Sequence, residues 1–192
     1  MKFEKLDTKQ VFIPALALVV ICLVVTTLLA VTNKITAPKI ENLNIQTEQE
    51  TKLKVFENAT SFSQAKTYNL DGIDYTYYDA VDADGSVMGV VVVSSSKGYG
   101  GDVKVMTGVD SDGEVTGVEI LDINETAGLG MNAKNEDFRE QFIGKGGGIG
   151  VIKNASPNKD EIVALTGATI TSKAVTNAVN IALKIQGGVS NG

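Results

Sequence analysis

The pattern of apolar and polar positions divides the chain into three parts. Residues 11–31 form an uncharged run, VFIPALALVVICLVVTTLLAV. As a helix this run would be roughly 30 Å long, which matches the hydrocarbon core of a bilayer. Residues 34–58 are polar and charged, with sparse apolar positions and Pro38 near their start. From residue 59 onward, apolar positions recur with the periods of strands and helices. The pattern predicts a membrane helix, a solvated stalk and a folded domain.

A buried core helix and a cleaved signal peptide are the two alternatives for the apolar run. The run is longer than the apolar region of a typical signal peptide, and no clear small-x-small cleavage site follows it. Cys22 would suit a lipoprotein, but bulky residues precede it where processing requires small ones. We therefore expect an uncleaved anchor. The expected parts are a tail at 1–10, a transmembrane helix at 11–33, a juxtamembrane stalk at 34–58 and the domain at 59–192.

Charges around the anchor give a slight orientation signal. Lys2, Lys5 and Lys9 precede the apolar run, while Lys34 and Lys39 follow it. Lysine and arginine favour the cytoplasmic side of a membrane, and the part before the run is much shorter than the part after it. We expect a single-pass protein of the cell membrane, with a cytoplasmic N-terminus and an extracytoplasmic C-terminal domain.

Two β-hairpins are predicted in the first half of the domain. The turn DADG joins YTYYDAV to SVMGVVVVSSS, and the turn DSDG joins VKVMTGV to EVTGVEILDI. Asp-Gly turns between apolar segments are a strong hairpin signal. The alternation in VTGVEI predicts a sheet with one buried face. The aspartate-rich turns lack the spacing of a calcium loop, so we predict no metal site.

The second half of the domain shows helical periods. The segment NAKNEDFREQFIG predicts a short helix with Phe138 and Phe142 facing inward. An apolar stripe predicts a C-terminal helix over residues 172–185, ended by Gly187 and Gly188. The predicted fold class is therefore α+β: antiparallel β-hairpins and a C-terminal helix, behind one N-terminal transmembrane helix.

Composition excludes several kinds of chemistry. The 192 residues include no His and one Cys, and the net charge is −6. Without His, the chain cannot form a Ser-His-Asp triad or a His/Cys zinc site, and one Cys cannot hold an iron–sulfur cluster. The negative charge argues against a nucleic-acid partner. We predict no catalytic residue, and redox work would require an organic cofactor.

Hydroxyl groups are concentrated in LTGATITS, immediately before the C-terminal helix. A helix N-terminus offers free backbone N–H groups and the positive end of the helix dipole, which favour a phosphate. A simple Thr or Ser N-cap is the alternative explanation. Two glycine-rich segments, KGYGGD and NETAGLG, precede this motif along the chain. Each of them alone is typical of an ordinary turn.

Together, the three motifs resemble a family of FMN-binding domains in which a phosphoester attaches FMN to threonine. This family includes the G subunit of the Rnf ferredoxin:NAD oxidoreductase and the C subunit of the sodium-translocating NADH:quinone oxidoreductase. The motifs stand in the family's order behind a single span, so the resemblance covers nearly the whole chain. It implies Thr169 as the covalent attachment site. Thr166, Gly167 and Ala168 would form the turn recognised by a flavin transferase, and Thr171 would help to hold the phosphate.

The resemblance also implies the surroundings of the flavin ring and shows one departure. Glu125, Thr126, Leu129 and Gly130 would form a wall for the ring, with Leu129 packing on it. Many family members carry an acidic residue three positions before the first Ser/Thr of the motif, where this chain has Val163. Flavin can pass single electrons without an acid–base side chain, which agrees with the lack of His.

The implied function is electron transfer within a membrane-bound, ion-translocating ferredoxin:NAD oxidoreductase complex. The chain would be a redox subunit of this translocase with covalent FMN, not a catalyst alone. Its partners would be integral membrane and iron–sulfur subunits, and the transferase during maturation. Its shortness favours the Rnf G subunit. The alternatives are the quinone reductase C subunit, a stand-alone flavinylated extracytoplasmic electron carrier, a membrane-anchored binding module without cofactor, and a reversible phosphate or nucleotide receptor.

Overall fold

The protein consists of two compact units, Met1–Glu48 and Gln49–Gly192. A computed structural model describes residues 8–153 and 156–190, except for the side chains of residues 8–11, 13 and 38–46. Each unit is described by itself below. The second unit contains the sheet and the motifs singled out in the sequence.

Helix α1 (Thr8–Val55) contains the predicted membrane segment. Its stretch Pro14–Ala37 has a mean hydropathy of 2.8 and is long and apolar enough to cross a membrane. Pro38 lies within the helix and does not interrupt it. Threonine hydroxyls of the stretch donate to carbonyls one turn earlier, as Thr26 Oγ1 does to the Cys22 oxygen at 2.7 Å. These bonds satisfy hydroxyl groups for which lipid has no partner.

An antiparallel sheet forms the centre of the second unit. Its strands are β1 (Ser61–Phe62), β2 (Lys66–Leu70), β3 (Ile73–Val81), β4 (Val87–Lys97), β5 (Asp102–Asp110) and β6 (Val115–Asp122). The spatial order is β1, β3, β4, β5, β6, and β2 also pairs with β3. Antiparallel pairing of β3 with β4 and of β5 with β6 confirms the two predicted hairpins.

Aspartate carboxylates close both hairpin turns. Asp82 Oδ1 accepts hydrogen bonds from the N–H groups of Asp84 and Ser86, each at 2.9 Å. Asp110 makes the same pair of bonds in the second turn. The aspartates of these turns thus have a structural explanation, since side-chain bonds of this kind stabilise turns. Among the described residues, no group of His, Cys, Asp and Glu is arranged to hold a metal ion.

Short elements connect β6 to the C-terminal helix. They are a 3-10 helix at Gly130–Lys134, α2 (Glu136–Arg139), a second 3-10 helix at Glu140–Phe142, and the parallel strands β7 (Gly150–Ile152) and β8 (Glu161–Val163). The sequence pattern predicted one helix where three short ones form. Phe138 and Phe142 are buried as predicted, and their ring centroids lie 5.6 Å apart in an edge-to-face arrangement.

The C-terminal helix, α3 (Thr169–Ser190), is longer than predicted at both ends. Gly187 and Gly188 lie within it and do not end it. A Cβ on Gly188 would overlap the ring of Tyr68, so this glycine lets the helix lie against β2. Glycine is a poor helix former, but packing of the helix against the sheet outweighs that cost here.

The main core lies between α3 and one face of the sheet. Buried valines of β4, β5 and β6 meet the apolar stripe of α3, and Phe138 and Phe142 close one side. The Ser94 hydroxyl donates to the Ala178 carbonyl oxygen of α3 at 2.8 Å. Strand and helix are therefore joined by a hydrogen bond as well as by apolar contact.

The opposite face of the sheet is also partly covered, so the prediction of one buried face is wrong. The smaller core on this face consists of Val55, Phe56, Ala59, Tyr78, Ala80, Val91 and Met106. Strand β4 accordingly sends Val90 and Val92 to the α3 side and Val91 to the other. A strand buried on both faces carries a continuous apolar run, as β4 does at residues 90–93.

Two glycines let the end of α1 lie against the strand backbone. A Cβ on Gly117 would be 2.7 Å from the Cα of Val55, and a Cβ on Gly108 would overlap the Val55 carbonyl oxygen. The Thr116 hydroxyl donates to that same oxygen at 2.5 Å. The last turn of α1 is thus bonded directly to β6.

Lys52 also lies in the segment for which the sequence predicted a solvated stalk. It is only 2% exposed, and its Nζ lies 3.3 Å from the centroid of the Tyr78 ring, where an ammonium group is attracted by the ring face. The solvated-stalk prediction is therefore wrong for one face of the end of α1, where Thr51, Lys52 and Val55 are buried. The polar composition concealed this burial because a lysine can bury its stem and place its charge on an aromatic ring.

Replacing Gly117 with alanine is expected to destabilise the domain by roughly 1–3 kcal/mol, because the new methyl group would overlap the Val55 backbone. Denaturant unfolding of the detergent-purified chain would measure this loss as a lower midpoint. Gly148→Ala is the matched control, since its Cβ would meet no atom within 4 Å and its φ is not positive. Equal midpoints for the two variants would contradict the packing described for Val55.

Candidate functional site

Three segments that are far apart in the sequence meet around a cavity of about 510 Å³. They are the β4–β5 loop, the loop after β6 and the segment that leads into α3, and they carry the three motifs of the sequence. The cavity is lined by Tyr99, Glu125, Thr126, Leu129, Gly130, Gly167, Ala168, Thr169, Ile170 and Thr171. The motifs thus form one site and not three separate turns.

The carboxylate of Glu125 joins the first two segments. Its Oε1 accepts a hydrogen bond from the backbone N–H of Tyr99 at 2.7 Å. The Tyr99 loop is itself closed by a bond from the Gly98 N–H to the Gly101 oxygen at 2.8 Å. A Cβ on Gly98 would overlap the same Oε1. Glycine at this position therefore leaves the space that the carboxylate occupies.

Gly130 brings the second segment against the third. A Cβ on Gly130 would lie 2.7 Å from Oγ1 of Thr171 and 2.9 Å from Oε2 of Glu125. Any other residue at this position would fill that corner of the cavity. The second carboxylate oxygen and the threonine hydroxyl consequently face the same small volume.

The loop after β6 makes a tight turn that presents Leu129. The Thr126 oxygen accepts hydrogen bonds from the N–H groups of Leu129 and Met131, and Gly128 has a φ of +75°. Leu129 is 43% exposed. Its Cδ2 lies so near Gly167 that a Cβ there would be 2.9 Å away. Leu129 thus bridges the second and third segments and offers an apolar wall to the cavity.

Ser172, which the sequence did not single out, holds the LTGATITS segment in place. Its Oγ accepts a hydrogen bond from the Leu165 N–H at 2.9 Å and donates to the Ala168 oxygen at 3.0 Å. Between these two residues the chain reverses at Gly167, whose φ is +75°. Helix α3 then begins at Thr169. A serine three residues into a helix gave no sequence signal for this role, because the bond reaches back seven residues.

The residue before α3 is Ala168, so the alternative of a simple Thr or Ser N-cap is wrong. The Ala168 oxygen accepts the first helical bond, from the Ser172 N–H at 3.0 Å. Among the described residues, no protein acceptor meets the N–H groups of Thr169, Ile170 and Thr171. Free N–H groups and the helix dipole make this end of α3 suitable for an anion.

The structure brings all but one of the predicted site residues to the cavity. Thr169 is half-buried and Thr171 only 1% exposed, whereas Thr166 is exposed on the turn outside the lining. Tyr99 and Ile170 line the cavity although they were not predicted as site residues. The KGYGGD motif, which contains Tyr99, could have indicated that this residue lies at the site. Nothing in the sequence singled out Ile170 except its place between two threonines.

The residues present fit a flavin mononucleotide, which combines a flat aromatic ring with a phosphate. Tyr99 and Ile170 are 75% and 52% exposed, so with Leu129 they offer apolar surface to a ring. The first turn of α3 and the Thr171 hydroxyl offer donors to a phosphate. The cavity volume lies within the range of small-molecule sites, roughly 300–1,000 Å³. Gly98 and Gly130 leave room for the Glu125 carboxylate at this site.

Family models match two parts of the chain. The FMN-binding domain model matches residues 98–184, which include every residue of the cavity lining. The RnfG N-terminal region model matches residues 1–55, which correspond to the tail and α1. The site and the anchor are thus each matched by a separate model.

Curated relatives match nearly the full length of the chain. The G subunit of the Na(+)-translocating ferredoxin:NAD(+) oxidoreductase complex of Acetobacterium woodii is 34% identical over 200 residues, covering 97% of this chain and 96% of the relative. The G subunit of the proton-translocating ferredoxin:NAD(+) oxidoreductase complex of Clostridium ljungdahlii is 34% identical, covering 93% and 92%. The G subunit of the ion-translocating oxidoreductase complex of Methanosarcina acetivorans is 29% identical, covering 92% and 95%.

Solved structures share the fold. The crystal structure of Shewanella oneidensis NqrC superimposes with a TM-score of 0.55 at 20% identity, covering 71% of this chain and 70% of that one. The C subunit of the Na(+)-translocating NADH-quinone reductase from Parabacteroides distasonis has a TM-score of 0.57 at 21% identity, covering 78% and 95%. These likenesses agree with the α+β fold and with the half-barrel form of its antiparallel sheet.

Replacing Ser172 with alanine is expected to lower the free energy of unfolding by about 1–3 kcal/mol, because the part-buried Leu165 N–H loses its acceptor. Hydrogen exchange at the Leu165 amide should accelerate, and denaturant unfolding should give a lower midpoint. Lys173→Ala, which changes the exposed neighbour, is the control and should leave both measurements unchanged. Unchanged exchange in the serine variant would contradict the bond between Ser172 and Leu165.

Proposed function

This chain belongs to the G-subunit family of ion-translocating ferredoxin:NAD oxidoreductase complexes, and on that premise we propose that it relays electrons through an FMN attached by a phosphoester to Thr169. The chain is a redox subunit with an electron-transfer role, and the overall reaction belongs to the complex. The observation that carries the proposal is the position of Thr169, which begins α3 inside the cavity where three glycine-containing segments meet.

Thr169 is the hydroxyl best suited to carry the phosphoester. Thr166 lies outside the cavity lining, and the Ser172 hydroxyl is engaged with two backbone groups. Thr171 lies deeper than Thr169, where its hydroxyl is placed to donate to a phosphate. A phosphoester keeps a negative charge, which the free N–H groups of the first turn of α3 would stabilise.

The bound FMN would supply the capacity to accept and pass electrons. The chain's own residues would hold it and limit the access of water. Leu129, Ile170 and Tyr99 would provide apolar contact with the ring. Thr126 and Gly130 would complete the wall, because their backbone forms the turn that carries Leu129.

A flavin transferase is proposed to attach the cofactor, moving FMN from FAD to the Thr169 hydroxyl with release of AMP. The turn at Thr166 and Gly167 is exposed, which leaves it accessible to another protein. Val163, where many family members carry an acidic residue, lies in β8 and donates its N–H to Gln141 Oε1 at 2.7 Å. We expect the transferase to recognise the exposed turn and not the side chain at position 163.

The other functions considered from the sequence have less support. The likeness to C subunits of quinone reductases concerns the fold alone, whereas G subunits match nearly the whole chain. A binding module without cofactor and a reversible phosphate receptor both disagree with the match to an FMN-binding domain. As a subunit of a multi-subunit complex, the chain has other subunits as partners. We propose that integral membrane and iron–sulfur subunits are among them.

Helix α1 anchors the chain in the membrane, and the orientation is a proposal. We propose that the N-terminal tail is cytoplasmic and the FMN-binding domain extracytoplasmic. The lysines of the tail and the length of the domain support this orientation. A covalent bond would suit such a location, because a dissociated flavin would be lost from the cell.

Mass spectrometry of the chain purified from its native host is expected to show a gain of about 438 Da, the mass of FMN less water. Peptide mapping should place the gain at Thr169. The Thr169→Ala variant should lack it, whereas Thr166→Ala should keep it because Thr166 lies outside the cavity lining. An unmodified native peptide would refute the covalent proposal. A gain that persists in Thr169→Ala would move the attachment to another hydroxyl.

Cysteine labelling in intact cells tests the orientation. In a Cys22→Ala background, Asp84→Cys places a thiol on an exposed hairpin turn of the domain. A membrane-impermeant maleimide should label this variant in intact cells, since the domain is proposed to face outward. Lys2→Cys should be labelled only after lysis. The reverse pattern would refute the proposed orientation without affecting the FMN proposal.

A further inference from the structure

We propose that Glu125 lowers the reduction potential of the flavin by placing a negative charge in the cavity. This inference rests on the proposed FMN site, but not on the covalent bond to Thr169. It assigns to Glu125 an electrostatic role in addition to its contact with the Tyr99 loop.

Glu125 is the one charged residue among those that line the cavity in the described chain. Two ion pairs of the described residues, Lys66 with Asp79 and Arg139 with Glu119, lie outside the cavity lining. Among the described residues, no lysine or arginine forms an ion pair with this carboxylate. A bound ring would share the cavity with this negative charge.

A hydrogen bond holds one oxygen of this carboxylate, and the other lies at a close contact with Gly130. Oε1 is held by the Tyr99 N–H at 2.7 Å. Oε2 faces the corner that Gly130 leaves open beside the Thr171 hydroxyl. Gly98 and Gly130 both leave room for this carboxylate, since a Cβ on either one would come within 3 Å of one of its oxygens.

Loop positioning alone does not require a carboxylate. A glutamine side chain has the same length and also presents an oxygen that can accept the Tyr99 N–H. Near a phosphate, moreover, a carboxylate is electrostatically unfavourable. The property that distinguishes Glu125 from a glutamine is therefore its charge. That charge would act on the flavin ring bound in the cavity.

The direction of the effect follows from charge balance. Reduction of oxidised FMN by two electrons with uptake of one proton adds one negative charge to the ring. A nearby carboxylate disfavours the form with the added charge, so the reduction potential falls. Removing the carboxylate's charge while keeping its shape should raise the potential.

Redox titration of the FMN-loaded full chain in detergent, followed by absorbance, tests the inference. The Glu125→Gln variant should favour the reduced flavin on the order of tenfold, an upward shift of about 30 mV for a two-electron couple. Asp122→Asn is the matched control, because it removes one exposed carboxylate three residues away and outside the cavity lining. Its potential should equal that of the parent chain.

Two further measurements on the same variants separate charge from structure. Hydrogen exchange at the Tyr99 amide should remain slow in Glu125→Gln and become fast in Glu125→Ala, which has no acceptor. The thermal unfolding midpoint of Glu125→Gln should match that of the parent chain. A raised potential together with a protected Tyr99 amide would support the electrostatic role.

Two results would overturn the inference. One is a loaded Glu125→Gln variant whose potential equals that of the parent and of Asp122→Asn. The other is a Glu125→Gln variant whose Tyr99 amide still exchanges slowly but which takes up no FMN. That result would assign the carboxylate to cofactor attachment. A parent chain that carries no FMN in its native host would instead refute the proposed function, so the two failures are distinguishable.

Discussion

The close approach of three loops around Glu125 is the constraint on which the site depends. The β4–β5 loop and the loop after β6 lie at the same end of the strands, because the start of β5 pairs with the ends of both β4 and β6. Helix α3 packs across β4 and β5, and its first turn lies at the same end of the strands. The loops then meet at distances that leave no room for a Cβ on Gly98 or Gly130. The glycines of the motifs are therefore required by contact between segments and not only by local turns.

The start of α3 shows how helix stability and site chemistry compete. A Ser, Thr, Asp or Asn in place of Ala168 would accept a bond from a first-turn N–H and stabilise the helix by about 1 kcal/mol. The same side chain would occupy a donor that an anion needs. With alanine before the helix, no capping side chain occupies the first-turn N–H groups. The segment is held instead by Ser172, whose hydroxyl accepts a hydrogen bond from the Leu165 N–H. The hydroxyls of the motif thus have different structural environments despite their adjacency.

Much of the fold and of the site could be predicted from the sequence because the signals are local. The apolar run and the Asp-Gly turns lie within short windows, and they predicted the anchor and the hairpins. The resemblance carried by the three motifs implied most of the cavity lining. The misses involve contacts between distant segments. Burial of Lys52 beneath the sheet, the second covered face of β4 and the reach of Ser172 back to Leu165 leave no periodic trace. Tyr99 is held at the site by the hydrogen bond from its backbone N–H to Glu125. A backbone bond of this kind cannot be predicted from the residue type.

The contact of Val55 with Gly108 and Gly117 determines where a soluble fragment of the domain can begin. A fragment starting at residue 59, where the sequence pattern predicts the start of the domain, would lack Val55 and Phe56 and uncover their apolar neighbours on the sheet. Exposed apolar surface of this kind promotes aggregation. A fragment starting at Gln49 keeps the buried part of the helix and begins at the first residue of the second compact unit. The end of the predicted stalk is thus part of the folded domain, and a protease that cuts α1 between residues 49 and 55 would cut within that domain.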